Sequence, residues 1–415
     1  MKKKILIVLD GVADRPNPFL LNKTPLEIAF KPNLDYFAQN GNLGYLYPIK
    51  EGIAPESDAA VFGVLGYDPY KYCSGRGPLE AHGTGMKIDE GDLCLRANFA
   101  TLKGNKVIDR RVGRTLTTKE AKILADAINR KVKLNYKFIF KPTIQHRGVL
   151  VVRGSFSDNI TNTDPGYEKF GAISRVKIRD DKLRDSEALD DDEISILSSK
   201  IVNSFVHQSI QILRNHPVNR KRVKEGKLPA NVIITRDAGI KLPVLPKKHG
   251  KWLAILNMPL EVAIAKIAGM DTAVCEYPEM KTDSVYENLY YALKQFLQFV
   301  KEQLVKNYRK YDSFYIHIKE TDVPGHDGLP IHKKKMIEMI DELLFDFLRK
   351  EFKNSVIIVT ADHSTPCTLK VHSDDPVPLL VYGKGKDAVK TFNEKECKRG
   401  KLGKLFGKDM QNLLK

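Results

Sequence analysis

At 415 residues the chain is too long for one ordinary hydrophobic core, and a composition of 42% hydrophobic and 29% charged residues is typical of a folded globular protein. Five scattered cysteines with no CxxC pair argue against a disulfide framework and against a thiolate zinc site. The net charge of +17 suits nucleic acid or small anionic substrates, but the basic runs are dispersed and carry few aromatic residues, so nucleic-acid binding is disfavoured.

No segment has the length of a membrane-spanning helix. The first apolar run, Ile5–Leu9, follows three lysines as in a signal peptide, but Asp10 and Gly11 end it too early. No later stretch approaches the roughly 20 apolar residues that a spanning helix needs. We therefore expect a cytoplasmic protein with no membrane partner.

Several apolar, β-branched runs predict strands that are buried on both faces of a parallel sheet. In chain order the predicted strands are Lys4–Leu9, Ser313–Ile318, Ser355–Val359 and Val377–Tyr382. Helical periodicity predicts helices over Ser284–Leu304 and Lys333–Phe352. Strands that alternate with helices of this length are typical of an α/β domain with a mainly parallel sheet flanked by helices.

The middle of the chain has a different pattern. Short apolar runs such as Gly148–Arg153, many basic residues and a helical pattern over Ile194–Leu213 predict an inserted α+β domain at residues 92–246. The flanking residues, 1–91 and 247–415, would then form one discontinuous core domain.

Acidic residues and histidines follow three of the predicted strands. In open α/β sheets, ligands bind outside the carboxyl ends of the strands, so these side chains are expected to meet there. The candidate set is Asp10, Asp322, His326, Asp362, His363 and His372.

Carboxylate and imidazole ligands together suit Zn, Mn or Fe rather than Ca. Three aspartates and three histidines are enough for two adjacent divalent ions, which can clamp the attacking and leaving oxygens of a phosphoryl displacement. Because Pro324 and Gly325 lie between Asp322 and His326, we expect a ligand loop there rather than a helix. Each residue alone could be a turn former, a helix cap or a satisfied polar group, and only the joint pattern indicates a metal site.

Ser57 is the candidate nucleophile. Because it precedes Asp-Ala-Ala-Val, it also has the pattern of a helix N-cap. The two interpretations can coexist, since a helix N-terminus favours negative charge and would assist a serine alkoxide and its phosphate. No GxSxG elbow occurs, so serine-hydrolase chemistry is disfavoured.

These residues together resemble the alkaline phosphatase superfamily. Longer strings are more specific: PESDAAVFGVLGYDPYKYCSGRGPLEAHGTGM, HIKETDVPGHDG, VTADHSTPCTLKVHSDDPVPLL and NRKRVKEGKLPANVIITR are similar to the archaeal-type cofactor-independent phosphoglycerate mutases. The resemblance covers nearly the whole chain, and it implies an alkaline-phosphatase-like core with an inserted substrate-binding domain.

The resemblance also implies roles for the candidate residues. One metal ion would be bound by Asp322, His326 and His372, and the other by Asp10, Asp362, His363 and the Ser57 oxygen. Manganese is the metal implied, with other divalent ions tolerated and no 2,3-bisphosphoglycerate required. Ser57 would take the phosphoryl group and return it to the neighbouring hydroxyl of glycerate.

A mutase must hold glycerate between two transfers, and arginine suits that task through bidentate contacts with carboxylate and phosphate. The candidates in the insertion are Arg110, Arg111, Arg114, Arg153, Arg220 and Arg222, with Asp164 as a further candidate. For each arginine alone, a surface salt bridge or a solvated side chain is an equal alternative.

The sequence departs from the family pattern in two places. Glu56 precedes the serine where glycine is expected. In the string TNTDPG, Asn162 and Gly166 stand where a second aspartate and a histidine are expected. Neither departure touches the predicted metal ligands, but they bear on the prediction of substrate contacts in the inserted domain.

Three functions stay open. The leading one is a phosphoglycerate mutase, an isomerase of glycolysis and gluconeogenesis whose substrate is phosphoglycerate. Such an enzyme could be a homo-oligomer. A metal-dependent phosphomonoesterase, or a related phosphonate or sulfate hydrolase, would use the same core but would not need to hold glycerate, so the arginine-rich insertion favours the mutase. A basic nucleic-acid-binding protein would need an unbroken positive face and aromatic platforms.

Overall fold

The computed structural model describes residues 2–170, 173–176 and 181–414. Its strands are β1 Lys4–Leu9, β2 Gly41–Tyr47, β3 Leu93–Lys103, β4 Lys106–Asp109, β5 Phe138–Pro142, β6 Arg147–Val152, β7 Tyr167–Phe170, β8 Ile173–Val176, β9 Val232–Gly239, β10 Trp252–Leu256, β11 Asp271–Val274, β12 Ser313–Ile318, β13 Val356–Thr360, β14 Val377–Tyr382 and β15 Gly403–Phe406. Its α-helices are α1 Pro25–Ile28, α2 Pro32–Gln39, α3 Ser57–Val64, α4 Pro69–Tyr72, α5 Arg76–Gly83, α6 Thr118–Lys131, α7 Glu193–Arg214, α8 Pro217–Lys224, α9 Pro259–Ile267, α10 Val285–Asn307, α11 Asp322–Asp327, α12 Pro330–Ile340, α13 Asp346–Glu351, α14 Glu394–Cys397 and α15 Met410–Leu414.

The chain forms two compact units. The core unit comprises residues 1–72, 244–278 and 286–415, and the inserted unit comprises residues 73–243 and 279–285. Helix α5 therefore lies with the inserted unit, although the sequence-based boundary at residue 91 would leave it in the core. Gly77 lets α5 approach β3 closely, since a Cβ at that position would lie 2.1 Å from the carbonyl oxygen of Cys94.

An eight-stranded sheet organises the core unit, in the order β11-β10-β12-β1-β13-β14-β2-β15. Strand β1 is parallel to both β12 and β13, with Val8 paired to His317 on one side and to Thr360 on the other. Strand β14 is antiparallel to both of its neighbours. The predicted α/β class with a mainly parallel sheet is confirmed, and its registers place the carboxyl ends of β1, β12 and β13 at one edge.

The long helices form where helical periodicity predicts them. Helix α10 starts at Val285 and continues to Asn307, three residues beyond the predicted end. The helix predicted over Lys333–Phe352 forms as α12 and α13, which are joined by a π-helical turn at Asp341–Phe345. No helix in the described part of the chain is long and apolar enough to cross a membrane.

An antiparallel sheet organises the inserted unit, in the order β4-β3-β6-β5 with β9 paired to the other edge of β3. Helix α7 matches the helix predicted over Ile194–Leu213 and buries Val202 and Phe205 in this unit's own core. The ring of Phe205 lies 5.8 Å from that of Phe140 on β5. The inserted unit thus has the α+β character that the sequence predicts.

Candidate metal centre and nucleophile

The predicted metal ligands follow the strands that meet at one edge of the core sheet. Asp10 comes directly after β1, and its backbone N–H donates to the carbonyl oxygen of Ile318 at the end of β12 (2.9 Å). Asp362 and His363 follow β13 after Ala361. The three side chains are buried, with at most 1% of any of them exposed.

Three buried atoms converge here without hydrogen-bond partners among the described residues: Asp10 Oδ1, Asp362 Oδ2 and His363 Nε2. His363 Nε2 lies 3.3 Å from Asp10 Oδ1 and 3.4 Å from Asp362 Oδ2. The other Asp362 oxygen accepts from the backbone N–H groups of Gly11 (3.2 Å) and His363 (3.0 Å). Unpaired buried polar atoms are costly, so their convergence is the arrangement expected of ligands to one cation.

The structure also brings Asp322, His326 and His372 together, with ligand atoms that lie within 4.8 Å of one another. His326 Nε2 is 3.3 Å from Asp322 Oδ2, and His372 Nε2 is 3.9 Å from Asp322 Oδ1. The prediction of a loop between Asp322 and His326 is wrong, because these residues form the short helix α11. Pro324 is tolerated because it lies in the first turn, where an N–H has no helical acceptor to lose.

Two of the histidines are oriented by backbone carbonyl groups. Nδ1 of His372 lies 2.8 Å from the carbonyl oxygen of Pro55, and Nδ1 of His326 lies 3.0 Å from that of Lys370. A carbonyl oxygen only accepts, so both Nδ1 atoms carry the proton. Each Nε2 atom therefore keeps the lone pair that a metal ion requires.

A threonine hydroxyl connects the two ligand sets. Thr365 donates to Asp322 Oδ1 (2.7 Å) and accepts from His363 Nδ1 (3.0 Å). The ring of His363 also stacks on that of His372, with 3.6 Å between the centroids. The two predicted ion sites are therefore adjacent and share their supporting contacts.

Burial and mutual repulsion shift the pKa values of these groups. Burial, followed by the charge of Asp10, raises the pKa of Asp362 to about 7. Burial opposes the charge on Asp10 as well, but Lys319 and then His363 hold its pKa below the usual range. Burial, followed by His363, lowers the pKa of His372 to about 4. Uncharged imidazoles beside crowded carboxyl groups are the state that a bound cation stabilises.

Ser57 is the first residue of α3, and the N-cap is Glu56. The sequence pattern predicts Ser57 as the N-cap, and that prediction is wrong by one residue. The Ser57 side chain is buried, and its hydroxyl makes no hydrogen bond within residues 2–170, 173–176 and 181–414. Its segment is joined to the predicted ligand His372 through the carbonyl group of Pro55, which accepts from His372 Nδ1. A hydroxyl at the start of an eight-residue helix is well placed for chemistry on an anion.

The donor set fits the ions that the family resemblance implies. The carboxylates and imidazoles of the two sets, with the orphaned atoms of Asp10, Asp362 and His363, suit divalent transition ions rather than Ca²⁺. The core unit therefore contains residue groups able to hold metal next to the serine-bearing segment.

In the inserted unit, the predicted residues Arg110 and Asp164 are paired. Arg110 Nε donates to Asp164 Oδ1 at 2.7 Å, and the guanidinium carbon lies 4.5 Å from the ring centroid of Tyr167. Gly166 makes this possible, because a Cβ at that position would lie 2.6 Å from Arg110 Nη1. The departure from the family pattern at Gly166 thus leaves the space that Arg110 fills.

Sequence reasoning missed two arginines of the same cluster, Arg96 on β3 and Arg236 on β9, which are paired across the sheet. The guanidinium carbon of Arg236 lies 3.6 Å from the centroid of Tyr167, and its Nε lies 3.9 Å from Asp164 Oδ2. Burial, followed by the charge of Arg236, lowers the pKa of Arg96 to about 9. An arginine inside an otherwise apolar strand is the sequence signal that could have identified both.

A buried histidine lies beside the same basic residues. Burial, followed by the charges of Arg147, Arg111 and Arg114, lowers the pKa of His146 well below its usual value. The predicted residues Arg111 and Arg114 therefore lie close to His146 and add to the positive potential of this cluster.

The remaining predicted arginines have other surroundings. Arg153 contacts Asp92 and donates to the carbonyl oxygen of Lys87 (2.8 Å). Arg220 is exposed on α8.

Arg222 is 1% exposed, and its guanidinium donates within the unit to the side chain of Glu120 (3.0 Å), to Thr115 and to the carbonyl oxygen of Leu228 (2.9 Å). These donors are therefore engaged in holding α8 against its neighbours.

Residues 38–219 match the family model described as 2,3-bisphosphoglycerate-independent phosphoglycerate mutase. A protein of that name from Aeropyrum pernix is 37% identical over 98% of this chain and 96% of its own length. A solved Pyrococcus horikoshii protein is similar with a TM-score of 0.76 and 30% identity, over 100% of this chain and 96% of its own. The solved cofactor-independent phosphoglycerate mutase of Thermoplasma acidophilum is similar with a TM-score of 0.57 and 31% identity, over 100% and 99% of the two chains.

Proposed function

The chain belongs to the family of 2,3-bisphosphoglycerate-independent phosphoglycerate mutases, and from that membership we propose that it interconverts 3-phosphoglycerate and 2-phosphoglycerate through a phosphoserine on Ser57. This reaction would place the protein in glycolysis and gluconeogenesis in the cytoplasm. The observation that supports it most is the convergence of the unpaired atoms of Asp10, Asp362 and His363 at the edge where the Ser57 segment is tied to a histidine.

The proposed reaction consists of two phosphoryl transfers. The Ser57 oxygen loses its proton and attacks the phosphorus of 3-phosphoglycerate, while the bond to the glycerate oxygen breaks and that oxygen takes up a proton. The 2-hydroxyl of the same glycerate then attacks the phosphoserine and regenerates the serine hydroxyl. Two divalent ions, proposed to be Mn²⁺, would supply Lewis-acid stabilisation of the charge on the transferring oxygens.

We propose these ligand sets for the two ions. One is formed by Asp322, His326 and His372, and the other by Asp10, Asp362, His363 and Ser57. The Nδ1 contacts of the histidines support this proposal, because they leave Nε2 for the ion. No 2,3-bisphosphoglycerate would be needed, since the phosphoryl group stays covalently bound to Ser57 between the two transfers.

Retention of glycerate separates a mutase from a phosphatase. We propose that the arginine cluster of the inserted unit, with Arg96, Arg110 and Arg236 at its centre, supplies the anion contacts that retain it. These guanidinium groups share the carboxylates of Asp164, Asp237 and Glu80, and burial strengthens their attraction for a further carboxylate or a phosphate. Arg111, Arg114, Arg153, Arg220 and Arg222 stay candidates of lower rank.

The test is an enolase-coupled assay for 2-phosphoglycerate formed from 3-phosphoglycerate by metal-stripped protein, with and without Mn²⁺ and without 2,3-bisphosphoglycerate. Free phosphate is measured in parallel. The Ser57→Ala variant is compared with Ser355→Ala, which alters a buried serine at the start of β13 that bonds to Tyr308 (2.8 Å). Metal-dependent isomerisation that is lost only in Ser57→Ala would support the proposal, whereas phosphate release without isomerisation would identify a phosphomonoesterase.

A further inference from the structure

Three polar side chains that belong to neither proposed ligand set lie on one face of β12 and its extension. Tyr315, His317 and Lys319 alternate along the chain, so they share a face of the strand. The first two are at most 1% exposed, and the Lys319 side chain is 16% exposed. Val8 pairs with His317 in the parallel register, which brings Asp10, two residues later, beside this face.

The three side chains form a connected series that ends on one oxygen atom. The Tyr315 hydroxyl lies 2.7 Å from His317 Nδ1, and His317 Nε2 lies 3.2 Å from Asp10 Oδ2. Lys319 Nζ contacts the same oxygen and also lies 3.1 Å from Glu261 Oε1. Both polar donors thus hold Oδ2 of Asp10, while Oδ1 of the same carboxylate has no hydrogen bond among the described residues.

The tautomer of His317 follows from its neighbours. Nε2 faces carboxylate oxygens of Asp10 and, at 3.6 Å, Asp362, so it acts as the donor. In the neutral ring Nδ1 then accepts, and the Tyr315 hydroxyl donates to it. The tyrosine therefore holds Nδ1 and helps to keep Nε2 directed at the aspartate.

The two carboxylates of this ion site are held in different ways. Asp362 has one oxygen held by backbone N–H groups, and no side-chain substitution removes these. Asp10 has one oxygen held by side chains only. From this contrast we propose that Tyr315, His317 and Lys319 are positioning residues that fix the Asp10 carboxylate so that Oδ1 faces the metal ion. This inference rests on the proposed two-metal function.

The competing role for His317 is that of a ligand to an ion other than the two proposed. Ligand atoms of Asp10, His317 and Asp362 lie within 4.8 Å of one another, as they would around an ion. The hydrogen bond between Nδ1 and Tyr315 does not separate the two roles, but the number of bound ions does. Loss of a positioning residue lowers affinity and leaves two ions per chain, whereas loss of a ligand to a further ion lowers the number bound.

The experiment is a calorimetric titration of metal-free protein with Mn²⁺, for the wild type and for Tyr315→Phe, His317→Gln and Lys319→Met. Tyr290→Phe is the matched control, because its hydroxyl bonds to Nδ1 of His332 (2.5 Å) in the same unit but outside the site. The melting temperature of each metal-free variant shows that it folds. Visible spectra of the Co²⁺-loaded proteins report the ligand field directly.

We expect the affinity for one of the two ions, the one held by Asp10, to fall about 10- to 100-fold in His317→Gln and Lys319→Met, and less in Tyr315→Phe, with two ions still bound and an altered Co²⁺ spectrum. Tyr290→Phe should match the wild type. Unchanged affinities in all three folded variants, or a loss of one bound ion in His317→Gln, would overturn the proposal. A wild type that binds two ions but does not isomerise phosphoglycerate would instead count against the proposed function.

Discussion

His372 and Pro55 are joined by a 2.8 Å hydrogen bond from the imidazole Nδ1 to the carbonyl oxygen. This bond connects a proposed metal ligand to the segment that leads into α3, where Ser57 is the first residue. The position of the proposed nucleophile therefore depends on the imidazole ring of a proposed metal ligand.

His372→Ala should loosen the Ser57 segment as well as weaken metal binding. The matched variant is His326→Ala, which removes a ligand from the same proposed set but whose Nδ1 contacts Lys370 instead of Pro55. Both substitutions should reduce Mn²⁺ affinity at least about tenfold. Hydrogen exchange of peptides covering residues 53–60, measured without metal, should become several-fold faster only in His372→Ala, and equal exchange in the two variants would contradict the coupling.

Lys333 is a fully buried lysine that contacts the loops carrying the proposed metal ligands. Its Nζ donates to Asp14 Oδ2 (2.9 Å) and to the carbonyl oxygens of Ala13 (3.2 Å) and Thr365 (2.9 Å). Lys333→Met leaves the buried Asp14 without its charged partner, so we expect the free energy of unfolding to fall by about 3–5 kcal/mol in denaturant titrations.

The control for this prediction is Lys335→Met, on the exposed side of the same helix, which should change the free energy of unfolding by at most about 0.5 kcal/mol. In the double variant Asp14→Leu/Lys333→Met both charges are gone, and part of the loss should be recovered. If the double variant loses as much free energy of unfolding as the two single variants together, the interaction between Asp14 and Lys333 does not stabilise the fold.

The sequence predicts the site best where the chain forms central parallel strands. The runs before Asp10 and Asp362 are continuously apolar because both faces of β1 and β13 are buried, and parallel strands bring their carboxyl ends to one edge. The sequence alone therefore predicts that the motif residues lie together. Helix α11 could not be predicted, since Pro324 and Gly325 break helices in most positions and only its place in the first turn makes Pro324 harmless.

Residues whose role depends on strand register were beyond sequence reasoning. His317 lies inside the run SFYIHI, and the sequence does not show that it faces Asp10 until its pairing with Val8 is known. Arg96 and Arg236 lie 140 positions apart in the sequence and become neighbours only through the pairing of β3 with β9. Periodicity predicts which face of a strand is buried, but it does not say which strand lies alongside.

We expect the titration of Glu394, which is not one of the proposed metal ligands, to make the free energy of unfolding depend on pH. Burial raises its pKa to about 7, and it accepts from the backbone N–H of Asp14 (2.9 Å) and the hydroxyl of Thr24 (2.8 Å). A carboxyl group whose pKa is raised by folding binds its proton more tightly in the folded state. Its stabilising contribution is complete below about pH 4.5 and is lost as the pH rises through 7.

Glu394→Gln should remove that dependence, because the uncharged amide can still accept from the Asp14 N–H through its oxygen and can donate to the Thr24 hydroxyl oxygen through its NH2 group. We expect the variant to be more stable than the wild type by about 1–2 kcal/mol at pH 8, and the difference to shrink towards pH 5. Urea titrations of metal-free protein between pH 5 and 8 measure this. Parallel pH profiles for the two proteins would refute the raised pKa.

Gly166 should control how well the inserted unit binds the substrate. A Cβ there would lie 2.6 Å from Arg110 Nη1, so Gly166→Ala must displace the guanidinium from its pairing with Asp164. Since the contact is with the far end of a flexible side chain, we expect little change in stability but a rise of about tenfold in KM for 3-phosphoglycerate. The alanine should act through Arg110 alone, so adding Gly166→Ala to Arg110→Ala should raise KM no further. A further rise in the double variant would mean that Gly166 shapes the site independently of Arg110.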